Sequence, residues 1–251
     1  EYNELQSRYL SEKSHLEALV NLTERYEGYG NSIKKVMEQK GRMPGIIGVV
    51  ADIIKVDKAY ETALETALGS SIQNIVTDNE ETAKKLISYL KQNKFGRATF
   101  LPLTNITPGN IHIDGKILKE TGVIGIASKL VESDVQFAAL IEYLLGRIIV
   151  VDHINNATAL ARKYNYTLRI VTLEGELLTP GGSISGGAYK NSSNLLGRRR
   201  EIDEFEHNVN SLKAKANDLF NQKEEKKQFK AKLRTDLENL KKQLQENYLK
   251  Q

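Results

Sequence analysis

Both ends of this chain carry an apolar heptad repeat, and the stretch between them does not. A chain that leaves along one helix, folds a compact body and returns along a second helix lays the two helices side by side and antiparallel. Leu19, Leu22, Tyr26, Tyr29, Ile33 and Val36 recur at alternating spacings of three and four, as the a and d positions of a left-handed coiled coil do. Upstream the seam continues through Tyr2, Leu5, Tyr9, Glu12 and Leu16, with a register shift at Leu16, Leu19 and Leu22. Gly28 and Gly30 each weaken a helix interior by about 1 kcal/mol relative to alanine, so a bend or break is expected near them. The second seam runs through Ile202, Phe205, Val209, Leu212, Ala216 and Leu219, turns polar at Lys223, Lys226 and Lys230, and resumes at Leu233, Leu237, Leu240 and Leu244. With Val36 set opposite Ile202, Glu12 falls near Lys226 and His15 near Lys223, a polar match that would fix the register. Leu240 and Leu244 are then left over. With a first residue of Glu1 rather than Met, that leads us to expect a piece of a longer coiled-coil protein. A plain helical bundle is the alternative.

The two helical arms take about 40 and about 50 of the 251 residues, which leaves roughly 155 for the body between them. No run of 18 apolar residues and no signal-peptide pattern occurs, so no membrane partner is expected. The chain has no cysteine, which excludes disulfides and thiolate metal sites and fits a reducing cytoplasm. Four scattered histidines have no metal-ligand spacing, and no cofactor is expected. The net charge of +4 leans toward an anionic partner, although most of the charge lies on the arms.

The body contains a repeat. Glu65 to Gly69, Ile75 to Asp78 and a helix through Ala83 and Leu86 are echoed by Glu142 to Gly146, Ile149 to Asp152 and a helix through Ala157 and Leu160. Each half reads as a helix stopped by glycine, a buried strand ending in Asp, a second helix and another strand (98–101; 168–173). The glycine suits a left-handed helix stop, and the Asp is placed to cap the next helix. Alternating strands and helices predict an α/β core of two pseudo-repeated subdomains, 44–118 and 119–197, with pseudo-twofold symmetry and exposed strand edges. The arms are 1–40 and 198–251 and form an antiparallel coiled coil.

Pro180-Gly-Gly-Ser-Ile-Ser-Gly-Gly187 is the most unusual local sequence. Four glycines in so short a run admit close backbone approach. Three readings are open: a phosphate-cradling loop, which lacks both the GK[ST] ending and the GxGxxG pattern; a flexible linker into the second arm; or an interface strand, with Ile184 alternating between Ser183 and Ser185.

Gly45-Ile-Ile-Gly-Val-Val50 after the first arm, Phe95-Gly-Arg-Ala-Thr-Phe-Leu-Pro-Leu103, and the glycine motif before the second arm together resemble the hinge region of SMC proteins. These are chromosome-organising ATPases, and the match is best with their bacterial chromosome-partition (condensin) members. The resemblance covers the whole core. It implies the SMC hinge fold and a homodimer, in which one subdomain of each copy pairs strand-to-strand with the other subdomain of its partner. It implies that Gly181, Gly182, Ser183, Ile184, Ser185, Gly186 and Gly187 lie at that interface. The ATPase head, with its Walker loop, would lie elsewhere in a longer protein, so this segment is not expected to be an enzyme. Kleisin and accessory subunits are expected only on that longer protein, in the cytoplasm at the nucleoid.

Arg198, Arg199 and Arg200 begin the second arm, while Lys34, Lys35, Lys40 and Arg42 end the first. Antiparallel arms bring the two groups together under the core. Cations at a helix N-terminus oppose its dipole, so helix stability does not account for the arginine run, whereas phosphate binding would. The family resemblance implies DNA binding at this hinge–coil junction. No base-reading motif accompanies it, so contact with single- or double-stranded DNA should follow salt rather than sequence. Tyr189 and Phe95 are candidate stacking residues for single strands, although an ordinary core or surface aromatic is the better reading of each. Two other readings stay open: a structural dimerisation module without DNA contact, and a phosphate-binding enzyme domain using Asp52, Asp78 or Asp152.

Overall fold

The computed structural model describes residues 2–107, 113–187 and 195–249. It divides into two units, Glu1–Leu19 with Ile202–Gln251, and Val20–Glu201. The body begins with α2 (Asn31–Met37), after the first arm helix α1 (Tyr2–Glu24). The first repeat follows as β1 (Ile46–Val49), the one-turn α3 (Val50–Ile53), β2 (Lys55–Val56), α4 (Glu61–Leu68), β3 (Ile75–Thr77), α5 (Glu80–Asn93) and β4 (Phe100–Pro102). The second runs β5 (Val123–Ile126), β6 (Val131–Glu132), α6 (Ala138–Leu145), β7 (Ile148–Val151), α7 (Ile154–Lys163) and β8 (Arg169–Thr172), then adds β9 (Leu177–Leu178) and β10 (Ile184–Ser185). The long α8 (Leu195–Leu249) closes the chain.

The duplication is explicit in the pairing. One sheet is ordered β1-β3-β4 and the other β10-β9-β8-β7-β5. In both, the first strand pairs antiparallel with the second, which pairs parallel with the third. Each first strand has an irregularity at the same place, between Ile46 and Gly48 and between Val123 and Gly125. A short antiparallel pair, β2 with β6, joins the halves and sets Lys55 opposite Glu132. Those two residues follow the starts of β1 and β5 by the same interval (55 − 46 and 132 − 123), so equivalent positions face each other, as a local twofold axis requires.

Burial explains the central strands. Ile75, Val76 and Ile148 to Val151 are β-branched residues with almost no exposure, the composition of strands covered on both faces. One apolar cluster spans both repeats, joining Leu64, Ile75 and Leu86 to Leu140, Leu145 and Val150. A smaller cluster under α7 holds Ile149, Ala157, Leu160 and Ile170.

Two local expectations change. Asp78 and Asp152 do not cap their helices. The N-cap of α5 is Asn79, whose side chain accepts from the Thr82 N–H, and that of α7 is His153. Each Asp sits one residue earlier and is bonded to a side chain in the first turn, Thr82 Oγ1 at 2.7 Å and Asn156 Nδ2 at 2.8 Å. Gly69 has a positive φ of 52° after α4, but Gly146 after α6 is right-handed. Gly146 is required by space, since a β-carbon there would lie 2.5 Å from the Glu142 carbonyl oxygen.

The break expected near Gly28 and Gly30 is present, so the first seam is not one rod. α1 ends at Glu24, and the chain turns through Tyr26 (φ 51°) and Gly28 (φ 94°) before α2 starts. Ile33, Val36 and Met37 of α2 are buried in the core of the body, so their heptad spacing serves globular packing. The register moves accordingly. Within the arm unit, His15 stacks on Phe205 at 4.6 Å, not on Lys223, and Tyr2 meets Phe220 at 6.1 Å. The expected pairing is therefore off by about five helical turns. Phe229, Leu233, Leu237, Leu240 and Leu244 are all more than half exposed, a longer unmatched stretch than Leu240 and Leu244 alone.

Candidate functional site

The glycine motif forms a hairpin. β10 pairs antiparallel with β9, Ile184 opposite Leu178 and Ser185 opposite Leu177. The turn is closed by Thr179 N–H to the Ser183 carbonyl and Gly182 N–H to the Thr179 carbonyl, both 3.0 Å, and by a 2.6 Å contact between the Thr179 and Ser183 hydroxyls. Gly181 and Gly182 both have φ near +91°, where an L side chain is strained. Residues 181–187 are all exposed, Ile184 by 56%. Among the described residues β10 pairs on one edge only, and so does β4 at the end of the other sheet. β4 corresponds to β8, yet nothing described occupies the slot that β9 fills beside β8.

The basic residues divide by what holds them. Lys34 donates to Glu27 at 2.9 Å, which holds the Glu27 carboxyl below the usual carboxylate range; Lys35 donates to Glu38 at 2.8 Å, which raises the lysine. The arginine run ties three parts of the body to the root of α8. Arg198 donates to the Glu27 carbonyl at 2.7 Å, Arg199 to the Asp52 carbonyl, and Arg200 to the buried Glu61 carboxylate. Glu65, one turn along α4 and also buried, accepts from the Leu195 N–H at 3.1 Å, a carboxylate at the positive end of a helix. Anchoring thus gives the run a structural role that helix propensity alone did not suggest. Arg198 and Arg199 bond carbonyls, and Arg198 also lies close enough to the Glu27 carboxyl to help lower it, whereas Arg200 pairs directly with the Glu61 carboxylate. A cavity of about 640 Å³ brings Lys40, Lys55 and Arg199 together with Asp52, Glu132, Asp134 and Phe137.

Asp52 has a second task. Its carboxylate accepts from Tyr26 Oη at 3.0 Å and from the Val49 N–H at 3.3 Å. Burial, then the Asp52 charge, pushes the Tyr26 phenol far above its ordinary value. Asp52, Asp78 and Asp152 are therefore all engaged in local structure, and among the described residues no group of three or more His, Cys, Asp or Glu could hold a metal.

Residues 43–161 match the profile of the SMC proteins Flexible Hinge Domain. The SMC hinge of Geobacillus stearothermophilus, crystallised as an asymmetric dimer, aligns with a TM-score of 0.79 at 34% identity, over 88% of this chain and 89% of that one. This chain belongs to the SMC hinge family. The Pyrococcus furiosus SMC hinge is more distant, with a TM-score of 0.52 at 30% identity over 75% of this hinge and 95% of that one. The chromosome partition protein Smc of Bacillus subtilis is 41% identical over 193 residues, which are 76% of this hinge but 16% of that relative. The hinge thus spans a small part of the proteins it resembles. No described helix is long and apolar enough to cross a membrane.

Several structural residues of the hinge escaped sequence reasoning. Glu61 and Glu65 stand four apart among the apolar residues of α4, a spacing that puts two carboxylates on one buried face. Tyr26 and Tyr29, assigned to a seam, instead meet edge-to-face at 5.3 Å against the hinge core. Phe95 lies between Lys35 and Tyr89, so its ring is already packed. Tyr189 falls outside the described residues.

Proposed function

We propose that this hinge is the homodimerisation module joining two SMC arms in chromosome condensation and segregation, and that it contacts DNA without sequence specificity at its hinge–coil junction. The observation that carries the dimer is the pair of single-sided edges. β10 of one copy fits beside β4 of a second, continuing the sheet where, among the described residues, the first repeat has no counterpart of the strands that follow β8. Two such junctions close a twofold ring and pair the β10 and β4 edges of both copies. In this reading residues 44–118 and 119–197 are the subdomains that exchange edges, and 181–187 form the contact strand and its turn. The arms, 1–40 and 198–251, connect to the heads of a longer protein, where ATPase activity, kleisin and accessory subunits belong.

The test is molecular mass across a dilution series. The native chain should sediment as a dimer, and Gly181→Ala with Gly182→Ala as a monomer. Those alanines also strain the turn, so Ile184→Asp, at an exposed position, should give a folded monomer by itself. A dimer of unchanged affinity in both variants would overturn the assignment.

For DNA, the cations proposed to meet phosphate are Lys40, Arg42, Arg198 and Arg199, since the hydrogen bonds described for Arg198 and Arg199 go to backbone carbonyls. Lys34, Lys35 and Arg200 are held by carboxylates. Alanine at Lys40, Arg42 and Arg199 should weaken oligonucleotide binding and flatten its dependence on salt, while Lys34→Ala with Lys35→Ala should have little effect. Undetectable DNA binding by the native dimer would leave the purely structural module, which the anchoring contacts of the arginine run favour.

A further inference from the structure

We propose that the Tyr166 ring is part of the surface on which a second copy of this chain docks, forming an apolar anchor beside β10. The inference rests on the dimer reading above and adds to it a residue outside the glycine motif. After α7 the chain passes through Asn165 (φ 53°) and Tyr166 (φ 54°), two successive left-handed residues without a glycine. Asparagine tolerates that region, whereas a bulky side chain is strained there. Strain of this kind persists where the surroundings fix it or function needs it. The Tyr166 backbone is fixed on both sides. Its N–H donates to the Ala161 carbonyl at 2.7 Å, and its carbonyl accepts from the Gly181 N–H at 2.9 Å. Glycine would make both bonds without strain, so the backbone does not account for tyrosine.

The ring supplies the reason. Its Cδ1 lies 3.5 Å from where a β-carbon on Gly182 would stand, so it lies along the turn that launches β10. Yet 42% of the residue stays exposed. A β-carbon on Gly181 would meet nothing within 4 Å in its own chain. Bare backbone at Gly181 and Gly182 is thus flanked by two exposed apolar groups, Tyr166 and Ile184. Tyrosine beside a backbone that can be closely approached is the composition of an interface anchor, a large amphipathic surface at low entropic cost. Continuity with the β10 edge makes the second copy the occupant.

Tyr166→Gly separates ring from backbone, because glycine keeps the left-handed turn and both backbone bonds. We expect its dimer dissociation constant, measured by sedimentation equilibrium, to rise at least tenfold, with Tyr166→Phe within about twofold of native. Melting is compared in the monomeric Ile184→Asp background, where Tyr166→Gly should leave the midpoint unchanged or raised. A dimer constant unchanged by Tyr166→Gly overturns the proposal and leaves the dimer itself intact. A lower melting point in the monomer background also overturns it, since the ring would then act by holding the hairpin. A native chain that is monomeric at every concentration removes the dimer reading first.

Discussion

The two repeats of the hinge have one scaffold and opposite uses for the same position. Glu65 and Glu142 each lie four residues before a helix-ending glycine, Gly69 and Gly146. Glu65 is buried and holds the first amide of α8, with Glu61 one turn away holding Arg200. Glu142 stays within its own repeat, where it takes Ser128 and Lys129 and is 35% exposed on its side chain. The duplication supplied a carboxylate on each helix. What differs is whether the arm helix buries it. The sheets diverge in the same way, since the second repeat covers β8 with a hairpin and, among the described residues, the first leaves β4 single-sided.

The sharpest way to break this comparison is to remove the cation from each pair. Arg200→Met leaves the Glu61 carboxylate buried without its guanidinium, and a buried pair broken on one side costs about 3–5 kcal/mol. Lys129→Met does the equivalent to Glu142, but the lysine is 69% exposed and such pairs are worth about 1 kcal/mol or less. Urea denaturation of the two variants should therefore differ severalfold in lost stability. Equal losses would mean that the arm root is not anchored through Glu61.

A smaller effect tests where the repeats agree. A β-carbon on Gly45 would stand 2.4 Å from Thr82 Oγ1 and 2.6 Å from Asp78 Oδ1; on Gly122 it would stand 2.4 Å from both Asn156 Nδ2 and Asp152 Oδ1. Both glycines thus make room for the same Asp and first-turn partner at the start of a helix. Alanine at either should cost about 1–3 kcal/mol. Gly122 also has φ +79°, so Gly122→Ala should be the worse by about 1 kcal/mol. Thermal melts that rank them the other way would show that the second helix start yields more easily.

These contrasts mark what the sequence could disclose. The repeat was legible because Ile75 to Asp78 and Ile149 to Asp152 keep the same buried run, which burial on both faces demands, and the same terminal Asp, which a first-turn side chain holds. The glycine motif was visible as chemistry but open in meaning, because its role depends on which edges remain unpaired. The arm register was misread because Ile33 and Val36 satisfy a heptad and a globular core equally well, and helical spacing alone does not say which surface a side chain meets. The anchors of the arginine run were hidden for a related reason. Their partners, Glu27, Asp52 and Glu61, are remote in sequence, and two of the three acceptors are backbone carbonyls that any residue could supply.

The smallest effect concerns two tyrosines that bond carboxylates, Tyr26 to Asp52 in the first repeat and Tyr164 to Glu120 in the second. Burial is the leading cause that raises both phenols, and the neighbouring carboxylate adds to it. A phenol whose folded value is raised keeps its proton after the unfolded chain has lost its own at about pH 10. Its stabilisation is full below that value and declines as the pH rises above it. Tyr26→Phe loses the bond to Asp52, so at pH 8 it should be less stable than the native chain by about 1 kcal/mol. That gap should close as the pH is raised toward 11, because only the native chain loses the contribution of Tyr26. Tyr164→Phe should show a shallower convergence, since Lys163 also binds Glu120 and its charge works against the rise. Urea midpoints for the three proteins between pH 8 and 11 would measure this. A Tyr26→Phe gap that stays constant over that range would mean that the Tyr26 phenol ionises as easily in the fold as in the open chain, and that the Asp52 contact does not hold the connector between α1 and α2.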